Sequence, residues 1–148
     1  MPSQAAELED LTYAVIGACI EVHQSIGPGL LESVYERCVA IELAHRGLSF
    51  ERQKSVDLEY RGVTFARALR ADFIVEGRVV LELKAARYLH PTHEAQVRTY
   101  MYMGGYEAAL LVGFHAPALR DGGVRRFTNL RLRPPPGNSS SPPSSPLP

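Results

Sequence analysis

Two carboxylic acids and a lysine lie close together in two short apolar segments. Residues 79–85 read Val-Val-Leu-Glu-Leu-Lys-Ala, so Glu82 and Lys84 interrupt an apolar strand and share one of its faces. If a three-residue turn is centred on Gly77, Asp72 lies directly opposite Glu82, and apolar residues also oppose each other. A two-residue turn would put the two acids on opposite faces, so we expect the three-residue turn.

Adjacent carboxylates suit a divalent cation. Two like charges about 4 Å apart repel by roughly 4 kcal/mol at an effective dielectric constant of about 20. We therefore expect a raised pKa for one acid when no metal is bound. Oxygen ligands favour Mg²⁺ or Mn²⁺, which can activate water and stabilise charge at phosphorus. Lys84 would position or help to deprotonate that water, although Glu-x-Lys is also typical of a plain ion pair on a strand.

Hydrophobic spacing predicts the elements that carry these residues. Helices are expected at about 7–24, 29–46 and 91–103, and strands at 50–60, 63–75, 79–85, 107–114 and 124–133. Their order, ααβββαββ, predicts an α/β (α+β) domain with a mixed central sheet flanked by helices. The expected apolar stripe of the second helix is Leu31, Val34, Tyr35, Cys38 and Ile41.

The chain has 148 residues, enough for one domain, which we place at 1–133. Residues 134–148 hold seven of the eleven prolines and no charge, so we expect a disordered tail there. The net charge of zero argues at first against a nucleic-acid partner. However, residues 1–60 carry 4 basic and 10 acidic groups, whereas residues 61–133 carry 12 basic and 6 acidic groups. The second half can therefore face phosphate.

Cysteine usage and hydropathy exclude several classes of protein. Cys19 and Cys38 are the two cysteines, and no C-x-x-C occurs, which excludes zinc ribbons, thioredoxin-type sites and cysteine-ligated iron–sulfur clusters. Two unpaired thiols fit a reducing compartment, and the polar start of the chain shows no secretory signal. No apolar run is long enough to span a membrane. We expect a cytoplasmic protein with no membrane partner.

Three motifs resemble known nucleases. Asp72 followed by Glu82-Leu83-Lys84 resembles the D…E-x-K signature of the PD-(D/E)XK superfamily, whose restriction-endonuclease-like core has a similar order of elements. Residues 96–100 (Gln-Val-Arg-Thr-Tyr) resemble the Q-x-x-x-Y helix of RecB-like exonucleases. Residues 29–35 (Gly-Leu-Leu-Glu-Ser-Val-Tyr) match the motif that names the GxxExxY family of this superfamily. The likeness covers about residues 8–133, and Ala71 stands where the superfamily motif has proline.

The resemblance implies a metal-dependent nuclease that hydrolyses phosphodiester bonds of nucleic acid with Mg²⁺ or Mn²⁺. We favour DNA as the substrate, and the sequence leaves RNA open. The implied metal ligands are Glu32, Asp72 and Glu82. The implied catalytic residues are Lys84, Glu82 and Asp72, with Gln96 and Tyr100 orienting the site. Candidate contacts to nucleic acid are Arg87, Arg98, Tyr35 and His23, together with the arginines of the last strand, Arg125, Arg126, Arg131 and Arg133.

Each of these residues also has a structural interpretation. Glu32 suits the first turn of a helix for its charge alone, and the two tyrosines and His23 suit a core. Gln96 and the arginines suit a solvated surface, while His90 and His93 suit the start of the third helix. A catalytically inert domain that binds nucleic acid or a protein partner is the alternative function, and a structural subunit with an acidic docking face is a third. The sequence leaves the oligomeric state open, and a homodimer is one option.

Overall fold

The computed structural model describes residues 4–130 of the chain, with side chains from Glu7 onward. The elements are α1 (Gln4–Ile26), α2 (Glu32–His45), β1 (Phe50–Tyr60), β2 (Val63–Val75), β3 (Val79–Lys84), α3 (Pro91–Gly104), β4 (Ala108–Gly113) and β5 (Val124–Thr128). The predicted order of helices and strands is confirmed. The expected tail at 134–148 and two arginines of the last predicted strand, Arg131 and Arg133, lie outside the described residues. No helix within residues 4–130 combines the length and apolarity that a membrane crossing requires.

The five strands form one mixed sheet in the order β1-β2-β3-β4-β5. Neighbouring strands are antiparallel, except that β3 and β4 are parallel and connected through α3. A parallel pair needs such a crossover connection. One core cluster lies between the sheet and the helices α1 and α2, and a second lies between the sheet and α3. The predicted mixed sheet flanked by helices is therefore confirmed.

Helix α2 begins at Glu32 rather than at residue 29. Gly27 and Gly29 have φ values of +72° and +94°, which a right-handed helix cannot contain. These two glycines therefore form the connection from α1. The start of α2 places the Glu32 carboxylate in the first helical turn, where the helix dipole favours a negative charge.

The buried face of α2 agrees only in part with the predicted stripe, and the buried residues are Tyr35, Val39 and Leu43. Of the predicted stripe, Tyr35 is buried and Cys38 packs against the core cluster. Leu31 and Ile41, which the predicted stripe placed in the core, are 74% and 69% exposed. The Tyr35 ring stacks on Phe114, with ring centroids 4.4 Å apart. Both stripes obey helical spacing, so the periodicity alone did not distinguish them. The contact of Tyr35 with Phe114 does not decide between the stripes, because Tyr35 belongs to both. The burial of Val39 and Leu43 in the core cluster beneath α1 and α2 distinguishes the observed face.

The β1–β2 hairpin exchanges its two faces at Gln53 and Asp72. Phe50 packs in the core cluster beneath α1 and α2, whereas Val56 packs in the cluster beneath α3. Regular alternation would keep these two residues on one face, because they are an even number of residues apart. Gln53 has a φ of +52°, and this left-handed residue interrupts the alternation. We call the outer part of the hairpin, residues 54–71, the hairpin arm.

Candidate active site

The turn between β2 and β3 has the predicted register. Phe73 pairs with Leu81 and Ile74 pairs with Val80, so the hairpin is centred on Gly77. Gly77 has a φ of +65°, a conformation that glycine adopts readily. The paired residues end at Phe73 and Leu81. The next residues in this register are Asp72 and Glu82, which the sequence placed opposite each other.

Backbone N–H groups of the hairpin bind the side chains of Asp72 and Glu82. The Asp72 backbone N–H donates to Glu82 Oε1 at 2.9 Å, and the Leu83 N–H donates to Asp72 Oδ2 at 2.8 Å. Asp72 is only 9% exposed. Because backbone donors bind the carboxylates directly, the two side chains stay close together near the end of the paired region.

The environment of Glu82 disfavours its charge. Burial raises the pKa of Glu82 to about 8, and the charge of Asp72 and a hydrogen bond to its side chain add to the shift. Lys84 acts in the opposite direction. The expectation that one of the two acids has a raised pKa is confirmed. A cation beside the pair would relieve the repulsion, and carboxylate oxygens are the donors that Mg²⁺ and Mn²⁺ prefer, so these residues fit a divalent ion.

Glu32 lies near the carboxyl end of β3. Its Oε1 accepts a hydrogen bond from the Ala85 N–H at 3.3 Å, which connects the start of α2 to the residue after β3. Within residues 4–130, no three side chains of His, Cys, Asp or Glu come close enough together to hold one metal ion. The structure therefore brings Asp72 and Glu82 together, and Glu32 as a third ligand stays a prediction.

Lys84 and the start of α3 also lie near the carboxyl end of β3. Burial lowers the pKa of His93, and the charge of Lys84 lowers it further, while Glu32 acts in the opposite direction. These influences place His93 within electrostatic reach of both residues. His93 Nδ1 accepts a hydrogen bond from the His90 backbone N–H at 3.4 Å, as part of a capping box at the start of α3. The expectation that His90 and His93 suit the start of the third helix is confirmed.

Glu36 and Gln53 join the site although the sequence did not indicate them. Gln53 Nε2 donates to Asp72 Oδ1 at 3.4 Å and also to Glu36 Oε1. Arg52 Nη2 lies 3.2 Å from the same Glu36 oxygen. Glu36 follows Glu32 by four residues, which puts both acids on one face of α2, and this spacing was the available signal. No local pattern announces the left-handed conformation of Gln53.

Gln96 and Tyr100 lie on α3 beside the acidic pair. Both line a groove of about 750 Å³ that Glu82 also lines. Gln96 is exposed, so it can reach a bound molecule. Tyr100 is 2% exposed, and its hydroxyl donates to the Lys54 carbonyl oxygen at 2.9 Å. Burial raises the pKa of Tyr100 above its ordinary value. This tyrosine ties the hairpin arm to α3, and its role in orienting the site stays a prediction.

Tyr35 and His23 have structural contacts. The Tyr35 hydroxyl donates to the Gly27 carbonyl oxygen at 2.7 Å, and His23 Nε2 lies 2.8 Å from the Ala116 carbonyl oxygen. Both residues are buried, and neither lines the groove. The structural interpretation of both residues is therefore the one that their contacts support.

Of the candidate phosphate-binding arginines, Arg87, Arg98, Arg125 and Arg126 are described, and all four are exposed. Arg98 lies over the Phe127 ring at 4.5 Å and Arg87 lies over the Tyr88 ring at 5.3 Å. Arg126 lies over the Tyr13 ring, and Arg125 pairs with Glu94. These contacts hold the side chains by their stems or planes and leave a phosphate role for Arg87 and Arg98 as a prediction.

Comparison with known proteins agrees with this geometry. A family model of the PD-(D/E)XK nuclease superfamily matches residues 9–127. No curated protein and no solved structure shows a significant match. The superfamily indicates a nuclease-type function and a nucleic-acid partner, and its members generally use divalent metal ions. On the strength of the match over most of its length, this chain belongs to the PD-(D/E)XK nuclease superfamily.

Proposed function

We propose that this protein is a nuclease that hydrolyses phosphodiester bonds of nucleic acid with Mg²⁺ or Mn²⁺. The observation that carries the proposal is the pair of carboxylates at Asp72 and Glu82, held together by backbone N–H donors. Asp72 and Glu82 would hold the ion, and Glu32 is the proposed third ligand. Such an ion, when bound, supplies Lewis-acid stabilisation at phosphorus and lowers the pKa of water.

Lys84 and Gln96 supply the remaining functions of the site. Lys84 follows Glu82 by two residues on the same strand, so its ammonium group projects from the same face. There it orients the attacking water and offsets negative charge that develops on the phosphate. Gln96 lies in the groove beside Glu82 and contacts the backbone of the bound strand.

The finer family assignment and the location are part of the proposal. Residues 29–35 support membership of the GxxExxY family, because Gly29, Glu32 and Tyr35 stand at the three positions of its motif. Two free cysteines, Cys19 and Cys38, support a reducing compartment such as the cytoplasm.

A cleavage assay tests the proposal. Labelled single- and double-stranded DNA and RNA are incubated with Mg²⁺, Mn²⁺ or EDTA. We expect cleavage with the metals only, and a loss of at least about a hundredfold in rate for Glu82→Gln and Lys84→Ala. Glu21→Gln and Arg37→Ala are matched controls, because both residues are exposed and lie on helices outside the groove. Equal activity of the wild type and both site variants would reject the assignment.

A catalytically inert nuclease-like domain is the second candidate function. It is favoured by the finding that, in the described part of the chain, no three potential ligands are gathered for one ion. Calorimetry distinguishes the two functions. An inert domain binds Mg²⁺ weakly, and Glu82→Gln leaves that weak affinity unchanged, whereas an active site loses affinity in the variant. The inert domain also binds nucleic acid or a protein partner without turnover.

A further inference from the structure

The groove beside Glu82 has two unlike walls. The hairpin arm forms one wall, α3 forms the other, and Glu82 and Val80 of β3 contribute between them. The arm residues that line the groove are Ser55, Arg67, Ala68, Leu69, Arg70 and Ala71. The groove thus leads from an arm that carries two arginines to Glu82 of the proposed catalytic pair.

The two groove arginines carry uncompensated charge. Arg67 and Arg70 are exposed, and within residues 4–130 neither guanidinium forms an ion pair or lies over an aromatic ring. Elsewhere in the same range, Arg52 pairs with Glu36 and Arg125 pairs with Glu94. A groove with two unneutralised guanidinium groups attracts an anionic chain, and guanidinium planes match phosphate geometry.

A bulge brings Arg67 into the groove. Val56 pairs with Leu69, but Leu58 pairs with Phe65, so three residues of β2 oppose a single residue of β1. Arg67 lies in the bulge with a φ of +53°, and its backbone N–H donates to Asp57 Oδ1 at 2.9 Å. A left-handed conformation costs an arginine free energy that a glycine would not lose. The Asp57 carboxylate compensates by binding the backbone N–H of the bulge.

Beyond the bulge, the arm presents aromatic rings. Phe65 pairs with Leu58, and Tyr60 pairs with Val63. Residues 56, 58 and 60 alternate along β1, so these two pairs continue the face of Val56, which packs on the α3 side. Phe65 and Tyr60 are 52% and 61% exposed. Proteins that bind single-stranded nucleic acid combine a cationic groove for the backbone with exposed aromatic rings on which the bases stack.

We infer that the groove and the hairpin arm bind one single strand of nucleic acid, with Arg67 and Arg70 on its phosphates and Phe65 and Tyr60 on its bases. The inference rests on the proposed function for the class of ligand. A groove of about 750 Å³ has the volume of a few nucleotides of one strand. Stacking on the arm also requires bases that are not paired.

Fluorescence anisotropy in EDTA tests binding without cleavage. The probes are labelled DNA and RNA single strands about 12 nucleotides long, within the length that such grooves cover, and the DNA duplex of the same sequence. We expect single strands to bind the full chain at least about fivefold more tightly than the duplex, the effect of one stacked base. The DNA and RNA probes show whether the 2′-hydroxyl matters to this site.

Variants separate charge, stacking and folding. Arg67→Ala and Arg70→Ala should each reduce the slope of log affinity against log salt by about 0.7, the value for one phosphate contact on a single strand. Arg67→Gly should lose the same contact while suiting the φ of +53°, so a folding defect does not explain its effect. Phe65→Ala should weaken single-strand binding with an unchanged salt slope. Arg37→Ala and Ile41→Ala are the controls, because both residues are exposed, lie on α2 and are outside the groove.

Several results would overturn the inference. Duplex binding as tight as single-strand binding does so, and so do unchanged salt slopes in both arginine variants. If the rate of metal-dependent cleavage is the same in every arm variant as in the wild type, the inference is wrong and the proposed function stands. Binding that depends on the arm, without any cleavage, supports the inference and rejects the catalytic proposal.

Discussion

The backbone N–H of Asp72 donates to the Glu82 side chain at 2.9 Å, so the main chain of one acid positions the carboxylate of the other. The Leu83 N–H binds Asp72 in return at 2.8 Å. These bonds keep two carboxylates together although they repel each other. Removing either side chain therefore changes the charge of the site and also removes a hydrogen bond between β2 and β3.

The first prediction concerns the pH dependence of stability. The raised pKa of Glu82, about 8 against 4.5 for the unperturbed group, means that the metal-free native protein holds a proton that the unfolded chain loses. The stabilising effect of that proton is complete below about pH 4.5 and is lost as the pH rises through about 8. Urea unfolding of wild type and Glu82→Gln from pH 5 to pH 9 measures the difference in stability.

In that experiment, we expect the wild type to lose stability relative to Glu82→Gln as the pH rises. Glu21→Gln, an exposed control on α1, should run parallel to the wild type. If the Glu82→Gln curve also runs parallel to the wild type, Glu82 has no raised pKa in solution.

The second prediction concerns Gln53, whose side chain links Asp72 with Glu36. Gln53→Gly suits the φ of +52° but removes the amide, so Asp72 loses a partner that orients it. We expect Mg²⁺ affinity to fall by about tenfold, the usual effect of losing a group that orients a metal ligand. Calorimetric titration measures it, with Gln24→Ala, an exposed residue of α1, as the control. Unchanged affinity would show that the link to Glu36 does not orient Asp72.

The third prediction concerns Tyr35→Phe. The hydroxyl of Tyr35 donates to the Gly27 carbonyl oxygen and accepts the Leu30 N–H at 3.1 Å, which joins α2 to the loop that precedes it. Its loss leaves two backbone groups without their partner, so we expect a loss of about 1–2 kcal/mol in the free energy of unfolding. Denaturant unfolding measures this loss. Tyr13→Phe, at 60% exposure, should change stability by less than about 0.5 kcal/mol, and equal effects of the two changes would contradict the prediction.

The fourth prediction concerns Tyr100→Phe, which removes the hydrogen bond from α3 to the Lys54 carbonyl oxygen. Because this bond ties the hairpin arm to α3, its loss should increase amide hydrogen exchange in the arm more than in β3 or β4. We expect weaker single-strand binding with an unchanged salt slope, since no charge is removed. Uniformly faster exchange across the sheet would instead indicate a general loss of stability.

The catalytic hairpin was predictable because it depends on residues close along the chain. The Gly77 turn and the apolar pair Ile74 and Val80 allow one register, and that register determines that Asp72 faces Glu82. Local periodicity and turn chemistry are readable in a sequence, since each depends on a few neighbouring residues. For the same reason the order of helices and strands was predicted correctly.

Contacts between distant elements decided the rest. The burial of Val39 and Leu43 rather than Leu31 and Ile41 follows from packing in the core cluster beneath α1 and α2. The sequence offered two stripes with helical spacing, and both contained Tyr35. The links from Asp72 to Gln53 and Glu36, and the place of Arg67 in the groove, depend on left-handed residues that exchange faces or form a bulge. The sequence by itself thus determined the elements and the acidic pair, and only tertiary packing decided which side chains surround that pair. Local preferences act over a few residues, whereas the free energies that choose among them come from contacts made after the chain has folded.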